Sequence, residues 1–257
     1  PGITIGPGDK ILEAGCGTGI WSLQLAATLP PTVSIHSTDI SPANFPLPSY
    51  NTPSNVHFST QSVLSLPESW SNTFSVIHQR LFSAALSRSQ WRTALAEHYR
   101  VLLPGGVVAL TEIDGASCQG RHAQACPAEA KLTELLAPLY EKQDMIYDMQ
   151  GVLRGLVEES GLEVVSYESK VFSKEGGIAY EATTEVSDAA RSLEDDTLMS
   201  MVRTFESFWP VVDRLKLVDE ETYHGWLQEM RTSWREVPKT KEGRGDAWVR
   251  ICARKPF

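Results

Sequence analysis

Short apolar runs rich in β-branched residues alternate with helical patterns from Lys10 to about Glu112. This alternation predicts βαβ units and therefore a parallel sheet. Each run ends in polar or glycine residues, as expected of strands that are buried on both faces. Helices are predicted over Gly19–Leu29 and Gln90–Leu103, and Pro104-Gly105-Gly106 is expected to end the second helix. The predicted strands are Lys10–Ala14, Val33–Asp39, Val56–Ser59, Phe74–His78 and Gly106–Thr111.

After residue 115 the pattern becomes mainly helical. Leucines at 132, 135, 136 and 139 fall on one helix face. Gly151–Ser160 predicts a further helix, which Gly161 is expected to end. Two more strands are predicted at Leu162–Phe172 and Ala247–Arg254. Together with the five earlier strands, they predict one α/β domain with a doubly wound, mostly parallel, seven-stranded sheet.

Two apolar stripes at helical spacing lie between the last two predicted strands. The first consists of Leu198, Val202, Phe205, Trp209 and Val212 and is interrupted by Pro210. The second consists of Tyr223, Trp226, Leu227, Met230 and Trp234. Packing in the core is the simpler interpretation of both stripes. The alternative is that some of these residues line a substrate pocket, and the spacing fits both.

Composition and charge narrow the class of partner. The 257 residues carry 23 Lys and Arg against 32 Asp and Glu, which gives a formal charge of −9. This sign argues against binding of nucleic acid, because affinity for phosphate requires a basic face. No apolar run reaches the ~18 residues of a membrane span. The chain opens without a secretory leader and has four sparse cysteines, so we expect a reducing, cytoplasmic compartment and no disulfide framework.

A glycine-rich loop follows the first predicted strand. In Glu13-Ala14-Gly15-Cys16-Gly17-Thr18-Gly19, glycine occupies every second position. Glycine is required where the backbone adopts positive φ or where a ligand lies against the main chain. A dinucleotide-binding loop has the spacing G-x-G-x-x-G, which would require glycine at position 20, where this chain has Ile20. The acid Glu13 at the end of the strand suits a cationic ligand better than a pyrophosphate.

A second acid is expected to complete the ligand site. Asp39 ends the next predicted strand, 24 residues after Gly15. A carboxylate in that place can accept hydrogen bonds from both hydroxyls of a ribose. The loop tolerates a cation, and the acid can bind a ribose. Together they indicate a nucleoside with a charged tail, and S-adenosylmethionine is such a compound. The alternative is a tight turn between strand and helix that binds no ligand.

The loop from Glu13 to Gly19 resembles the signature loop of class I S-adenosylmethionine-dependent methyltransferases. The similarity extends over residues 9–114 and is weaker beyond them. The motifs that resemble fungal members of the superfamily are Gly17-Thr18-Gly19-Ile20-Trp21, Thr38-Asp39-Ile40-Ser41-Pro42, Pro53-Ser54-Asn55-Val56, Gln61-Ser62-Val63-Leu64, Leu66-Pro67, His78-Gln79-Arg80-Leu81 and Tyr99-Arg100-Val101-Leu102-Leu103-Pro104-Gly105-Gly106. These relatives methylate small secondary metabolites, and the group is related to a methyltransferase-like global regulator of fungal secondary metabolism.

The resemblance implies a Rossmann-like methyltransferase fold and a set of cofactor contacts. Residues 1–115 would form the cofactor-binding core, and helical segments over about 116–150 and 175–243 would form a lid. Asp39 would hold the ribose, and Gln79, just past the fourth strand, would lie near the methionine moiety. Many relatives have Asp where this chain has Ser62. The residues implied to contact the cofactor are Glu13, Gly15, Cys16, Gly17, Thr18, Gly19, Trp21, Asp39, Ile40, Ser62, Val63 and Gln79.

Methyl transfer from a sulfonium requires orientation and desolvation, and it uses a base only for some acceptors. If a base is used, it should lie at the carboxyl ends of the strands. His78 is expected to end the fourth strand and Glu112 to follow the fifth, so both are candidate bases. Arg80 is expected to order the loop.

A metal site is the less favoured interpretation of Cys118-x3-His122-x3-Cys126. Structural zinc usually takes four protein ligands, and no fourth ligand is evident nearby. We therefore predict no metal and interpret the segment as a loop.

The predicted function is S-adenosylmethionine-dependent methyl transfer to an oxygen or nitrogen of a small secondary metabolite. One alternative keeps the cofactor but uses its positive charge for a cyclisation or rearrangement without methylation. Another is a regulator without enzymatic activity that acts through partner proteins. A nicotinamide oxidoreductase is disfavoured by Ile20. The sequence leaves the acceptor and the oligomeric state open.

Overall fold

The computed structural model describes residues 4–47, 49–118, 126–173, 188–233 and 245–257. Strands and helices alternate through the first half of the chain, as the apolar pattern predicts. The strands are β1 Lys10–Ala14, β2 Ser34–Asp39, β3 Val56–Thr60, β4 Phe74–Arg80, β5 Leu102–Ile113, β6 Glu163–Ser173 and β7 Gly245–Arg254. The α-helices are α1 Ile20–Ala26, α2 Arg88–Val101, α3 Gly115–Cys118, α4 Pro127–Glu134, α5 Leu136–Lys142, α6 Met149–Glu159, α7 Asp188–Arg214 and α8 Glu220–Ser233, and short 3₁₀ turns span Pro42–Asn44 and Glu68–Trp70.

The seven strands form one sheet in the order β3-β2-β1-β4-β5-β7-β6. β1 pairs in parallel with both β2 and β4, and β4 pairs in parallel with β5. β7 is antiparallel to β5. The strand order reverses beside β1, because β2 and β3 lie on one side of it and β4 and β5 on the other. This arrangement confirms the predicted doubly wound, mostly parallel α/β sheet.

Apolar residues of the first three strands and β4 pack against α1. Ile11, Val33, Ile35, Val56 and Val76 form a buried cluster, and partly buried side chains of α1 lie against it. Because these residues come from four neighbouring strands, burying them fixes the sheet register that brings the strand ends together. The loops that follow β1, β2 and β4 therefore meet at one edge of the sheet.

Several boundaries around β4, α2 and β5 differ from the prediction. α2 ends at Val101, and β5 already begins at Leu102 rather than at Gly106. Gly105 adopts φ +78 within the strand, so Pro104-Gly105 forms an irregularity of β5 and not a loop before it. β4 and β5 also extend further than predicted, to Arg80 and Ile113.

The chain divides into two compact units. The first contains residues 1–113, 149–169 and 248–257, and the second contains residues 114–148 and 170–247. Within the second unit, Leu132 of α4 and Tyr223, Leu227 and Met230 of α8 are buried. The buried members of these stripes serve as core, whereas Trp209 and Trp226 are half-buried. The side chain of Leu198 and all of Trp234 lie outside the described residues. The expectation that the segments form a lid within a single domain stays a prediction.

Helix α7 continues through Pro210, where the sequence indicated an interruption. Its residues Val202, Phe205 and Val212 are buried, and the ring of Trp209 lies 5.1 Å from that of Tyr223. The apolar contacts on both sides of the proline hold the helix together despite the missing N–H. None of the helices in the described part of the chain is long and apolar enough to cross a membrane.

Candidate functional site

The glycine loop between β1 and α1 combines a left-handed backbone with an open face. Gly15, Gly17 and Gly19 have φ of +68°, +53° and +72°, a region that disfavours all other residues. A Cβ on Gly15 or Gly19 would collide with the ring of Phe82 or Phe58. A Cβ on Gly17 would meet no atom within 4 Å. The space over Gly17 is therefore open to a ligand, and aromatic rings flank it.

Asp39 anchors this loop from the end of β2. Its Oδ2 accepts a hydrogen bond from the amide of Gly17 at 2.9 Å, and its Oδ1 accepts one from the amide of Ser41 at 3.1 Å. A carboxylate has about four acceptor positions, so two remain for a ligand. The side chain is half-buried beside the open face of Gly17. Its predicted role, holding a ribose, fits this position and stays a prediction.

Glu13 is buried at the end of β1 and is hydrogen-bonded to the start of α1. Its Oε2 accepts hydrogen bonds from the hydroxyl of Ser22 at 2.6 Å and the amide of Ser22 at 3.3 Å. The hydroxyl of Ser37 donates to that of Ser22 at 2.6 Å. Burial raises the pKa of Glu13, and the hydrogen bonds from Ser22 oppose this shift. The carboxylate thus fixes α1 against the sheet, while its predicted contact with a cationic ligand stays a prediction.

His78 lies beside Glu13 in the neighbouring strand. It does not end β4 as expected, because the strand continues to Arg80. Its Nδ1 is 3.9 Å from Oε1 of Glu13, and its ring stacks on that of Trp21 at 3.9 Å. Burial lowers the pKa of His78 to about 4, so the imidazole is neutral near pH 7. An imidazole accepts a proton in the plane of its ring, at Nδ1 or Nε2, so stacking on Trp21 does not block this step, but the low pKa makes His78 a weak base.

Gln79 also lies inside β4 and not just past it, which corrects its predicted position. The side chain is fully buried, and its Oε1 lies 2.7 Å from Nε2 of His98 on α2. Burial lowers the pKa of His98 to about 4, so this pair is neutral. The side-chain oxygen of Gln79 thus binds the helix that covers the sheet, and the predicted contact of Gln79 with a methionine moiety stays a prediction.

Glu112 lies inside β5 and not after it, so its expected position is also corrected. It is fully buried, and its Oε2 accepts hydrogen bonds from the amides of Phe82 at 2.7 Å and Ser83 at 2.8 Å. Burial raises the pKa of Glu112 to about 8, and the two amide hydrogen bonds oppose the shift. This geometry supports a role in holding the turn after β4 more than a role as the general base.

The free energy of unfolding should depend on pH because Glu112 titrates. Because its pKa is raised from 4.5 to about 8 in the folded state, folding takes up a proton between these values. We expect the free energy of unfolding to fall as pH rises through this window, by about 1.4 kcal/mol per pH unit for this group. Urea unfolding at pH 5 to 9 measures this pH dependence in wild type and in Glu112→Gln. The fall in stability that Glu112 causes should be absent from the variant.

Glu97→Gln provides the matched control for this experiment. Glu97 accepts a hydrogen bond from the amide of Leu66 at 2.7 Å, but its pKa is lowered by the hydrogen bond from Arg100. This variant should keep the fall in stability between pH 5 and 8. An identical pH dependence for wild type and Glu112→Gln would contradict the raised pKa of Glu112.

The remaining predicted contacts lie around the same loop. Ile40 is 75% exposed beside Asp39, which leaves an apolar surface free for an aromatic base. The hydroxyl of Ser62 accepts a hydrogen bond from the amide of Leu64 at 3.2 Å, and Val63 lies in the same turn. Burial raises the pKa of Cys16 to about 12, so its thiol is not a nucleophile. Thr18 is exposed on the loop.

Phe82 and Phe58 are the residues that the sequence analysis missed. Both rings lie directly against glycines of the loop. The sequence could have indicated Phe82, because this residue follows β4, whose carboxyl end lies beside that of β1 in the predicted sheet. For Phe58 the aromatic character of β3 gave no such signal.

The described residues contain no group of three His, Cys, Asp or Glu side chains that could hold a metal ion. Cys126 is buried, with its Sγ 3.4 Å from the hydroxyl of Ser233. His122 lies outside the described residues, as does the side chain of Cys118, so the proposed loop of this segment stays a prediction.

Comparison with known proteins agrees with the motif analysis. The family described as "Methyltransferase domain" matches residues 11–106. Methyltransferase grgD of Penicillium sp is 34% identical over 148 residues, which cover 54% of this chain and 50% of that protein. N-methyltransferase gliN of Aspergillus fumigatus is 28% identical over 248 residues, 90% of this chain and 84% of that protein. The chain thus spans about half the length of methyltransferase grgD.

Solved structures share the fold at low sequence identity. A SAM-dependent methyltransferase from Methanosarcina mazei has a TM-score of 0.53 at 14% identity, covering 98% of this chain and 95% of that one. The [4+2]-cyclase SpnF has a TM-score of 0.54 at 18% identity, covering 97% and 75%. The likeness to these two structures concerns the fold alone. Residues 11–106 thus match the methyltransferase domain family, and the curated relatives that the chain resembles are named methyltransferases.

Proposed function

We propose that this chain binds S-adenosylmethionine over the loop Glu13–Gly19 and transfers its methyl group to a nitrogen or oxygen of a small secondary metabolite. The observation that carries the proposal is the open face of Gly17 beside the half-buried carboxylate of Asp39. A ligand there can approach the backbone closely and still reach an acid with two acceptor positions left.

The residues present fit a cofactor of this kind. The free acceptor positions of Asp39 would bind the ribose hydroxyls, and the exposed side chain of Ile40 would pack against the adenine. The turn containing Ser62 and Val63 would border the adenine edge. The cofactor supplies an electrophilic methyl group on a positively charged sulfur, and the protein contributes orientation and exclusion of water, which can be worth about 7–11 kcal/mol.

Nitrogen is the better supported acceptor atom. Four of the sequence relatives are named N-methyltransferases. A neutral amine attacks without losing a proton first, so such a reaction requires no strong base in the site. This agrees with the neutral His78 under Trp21 and with Glu112 bound to two backbone amides.

Net charge and the cysteines support a partner class and a location. A net charge of −9 supports a small-molecule acceptor over a nucleic acid. Cys16, Cys126 and Cys252, the cysteines whose side chains the structure describes, are unpaired, which supports the predicted reducing, cytoplasmic compartment.

The test combines binding with turnover. Calorimetry with S-adenosylhomocysteine measures whether the full chain binds the cofactor product. The chain is then incubated with methyl-labelled S-adenosylmethionine and fractions of a fungal small-molecule extract, and mass spectrometry identifies the products. We expect tight binding and the gain of one labelled methyl group on a small nitrogen-containing compound.

Three other outcomes would contradict the proposal. Absence of S-adenosylhomocysteine binding removes its basis. Binding with a product of unchanged mass would support a cyclisation or rearrangement instead. Binding without any turnover, together with a co-purifying protein, would support a regulator.

A further inference from the structure

The ring of Phe82 closes one side of the space over the glycine loop. An ideal Cβ on Gly15 would overlap both Cε2 and Cζ of this ring, so the ring rests directly on the glycine backbone. No comparable atom lies over Gly17. The ring therefore forms a wall next to the open face.

The backbone of the turn after β4 holds Phe82 in this place. Leu81 adopts φ +64, a conformation that is unfavourable for leucine, and its amide donates to the carbonyl of Thr111 at 3.0 Å. The next two amides, of Phe82 and Ser83, both donate to Oε2 of Glu112. Two hydrogen bonds to one buried acceptor can offset a strained residue beside them.

The order of strands determines which end of a bound cofactor lies near β2 and which lies near β4. β2 and β4 lie on opposite sides of β1. A ribose bound at Asp39 lies at the end of β2, and the adenine would extend further to the exposed Ile40 on that side. The amino-acid tail on the opposite side of the ribose must then extend towards the end of β4, where Phe82 follows.

We propose that Glu112 is a positioning residue that holds the ring of Phe82 through the amides of Phe82 and Ser83, and that this ring is the wall against which the amino-acid tail of the cofactor packs. The proposal rests on the proposed function, since it requires S-adenosylmethionine to be the ligand. Glu112 itself does not touch the cofactor or the reacting atoms.

A double-mutant cycle tests whether Glu112 acts through Phe82. Calorimetry on the full chain measures the Kd of S-adenosylhomocysteine for wild type, Phe82→Ala, Glu112→Ala and the double variant. We expect each single variant to raise the Kd about tenfold and the double variant to be no weaker than Phe82→Ala, because the effect of Glu112 requires the ring. Independent effects that multiply would overturn the positioning role.

Two further measurements separate positioning from a general loss of structure. 5′-Methylthioadenosine lacks the amino-acid tail, so its Kd should change less than twofold in Phe82→Ala. Glu112→Gln should restore most of the affinity lost in Glu112→Ala, because an amide oxygen can accept both hydrogen bonds. If Phe82→Ala weakens the binding of S-adenosylhomocysteine and 5′-methylthioadenosine equally, the ring of Phe82 does not pack against the amino-acid tail.

The matched control is Glu97→Ala, which removes another acid that binds a backbone amide, that of Leu66. It should leave the Kd of S-adenosylhomocysteine unchanged. If Glu112→Ala does not fold, the double-mutant cycle is run with Glu112→Asp, whose shorter side chain withdraws the acceptor from the two amides. Wild-type chain that does not bind S-adenosylhomocysteine contradicts the proposed function, whereas wild-type binding with unchanged Phe82→Ala affinity overturns this inference alone.

Discussion

Replacing Gly19 with alanine is expected to lower the free energy of unfolding by about 2–5 kcal/mol. The left-handed backbone at φ +72 costs a residue with a Cβ roughly 1–2 kcal/mol. The new Cβ would also overlap Cε1 of Phe58. This ring packs against Phe45 and the buried cluster of the first strands, so moving it adds about 1–3 kcal/mol of overpacking. Urea unfolding monitored by circular dichroism measures the loss.

Gly17→Ala is the matched control, because it lies in the same loop. Gly17 also has positive φ, +53, but a Cβ there meets no atom within 4 Å. We expect the free energy of unfolding of this variant to fall only by the backbone cost of about 1–2 kcal/mol. Its main effect should be weaker cofactor binding, since the new methyl group enters the open face. Equal destabilisation of the two variants would show that the contact with Phe58 does not decide the choice of glycine at position 19.

Replacing Asp39 with alanine is expected to raise the Kd of S-adenosylhomocysteine about 100-fold. Each hydrogen bond between a ribose hydroxyl and an ionised carboxylate contributes about 1.5–3 kcal/mol. The variant also releases the amides of Gly17 and Ser41, which the carboxylate now holds. Both effects act on the same side of the ligand, and calorimetry on the full chain measures their sum. Asp39→Asn, which keeps an acceptor but not the charge, should lie between wild type and alanine.

Asp9→Ala offers a control of the same chemistry at the opposite end of β1. Oδ2 of Asp9 accepts a hydrogen bond from the amide of Gly6 at 2.7 Å, much as Asp39 binds Gly17. Because Asp9 precedes the strand, its loss should leave cofactor affinity unchanged. Retention of wild-type affinity in Asp39→Ala would remove Asp39 from the site, and an equal loss in Asp9→Ala would trace the effect to stability.

The parts of the site that lie within one stretch of sequence were predictable. The bounds of β1 match the prediction, and the three glycines have the left-handed backbone that their spacing indicates. Asp39 lies at the end of β2, beside Gly17, because parallel neighbouring strands end at the same edge of the sheet. These features depend on local geometry and on the order of strands, which the apolar pattern contains.

Interactions between distant strands were not predictable in the same way. Glu112 was expected after β5, yet it lies inside that strand and binds amides thirty residues earlier in the chain. Its partners depend on the register between β4 and β5, which no short motif encodes. The contact of Gln79 with His98 of α2 and that of Phe82 with Gly15 also join distant parts of the chain, so no local pattern predicts them. The continuation of α7 through Pro210 was also missed, because packing on both sides of the proline outweighs local propensity.

The position of β7 between β5 and β6 has a consequence for synthesis of the protein. β7 follows the other six described strands in the sequence but fills an interior place in the sheet. While a ribosome is still translating the segment before it, β5 must keep its outer edge unpaired, and β6 has no neighbour on that side. An unpaired edge of apolar strand is a template for pairing with other chains. Until β7 emerges and joins β6 to the other five strands, the nascent chain therefore exposes an edge that can pair with other chains.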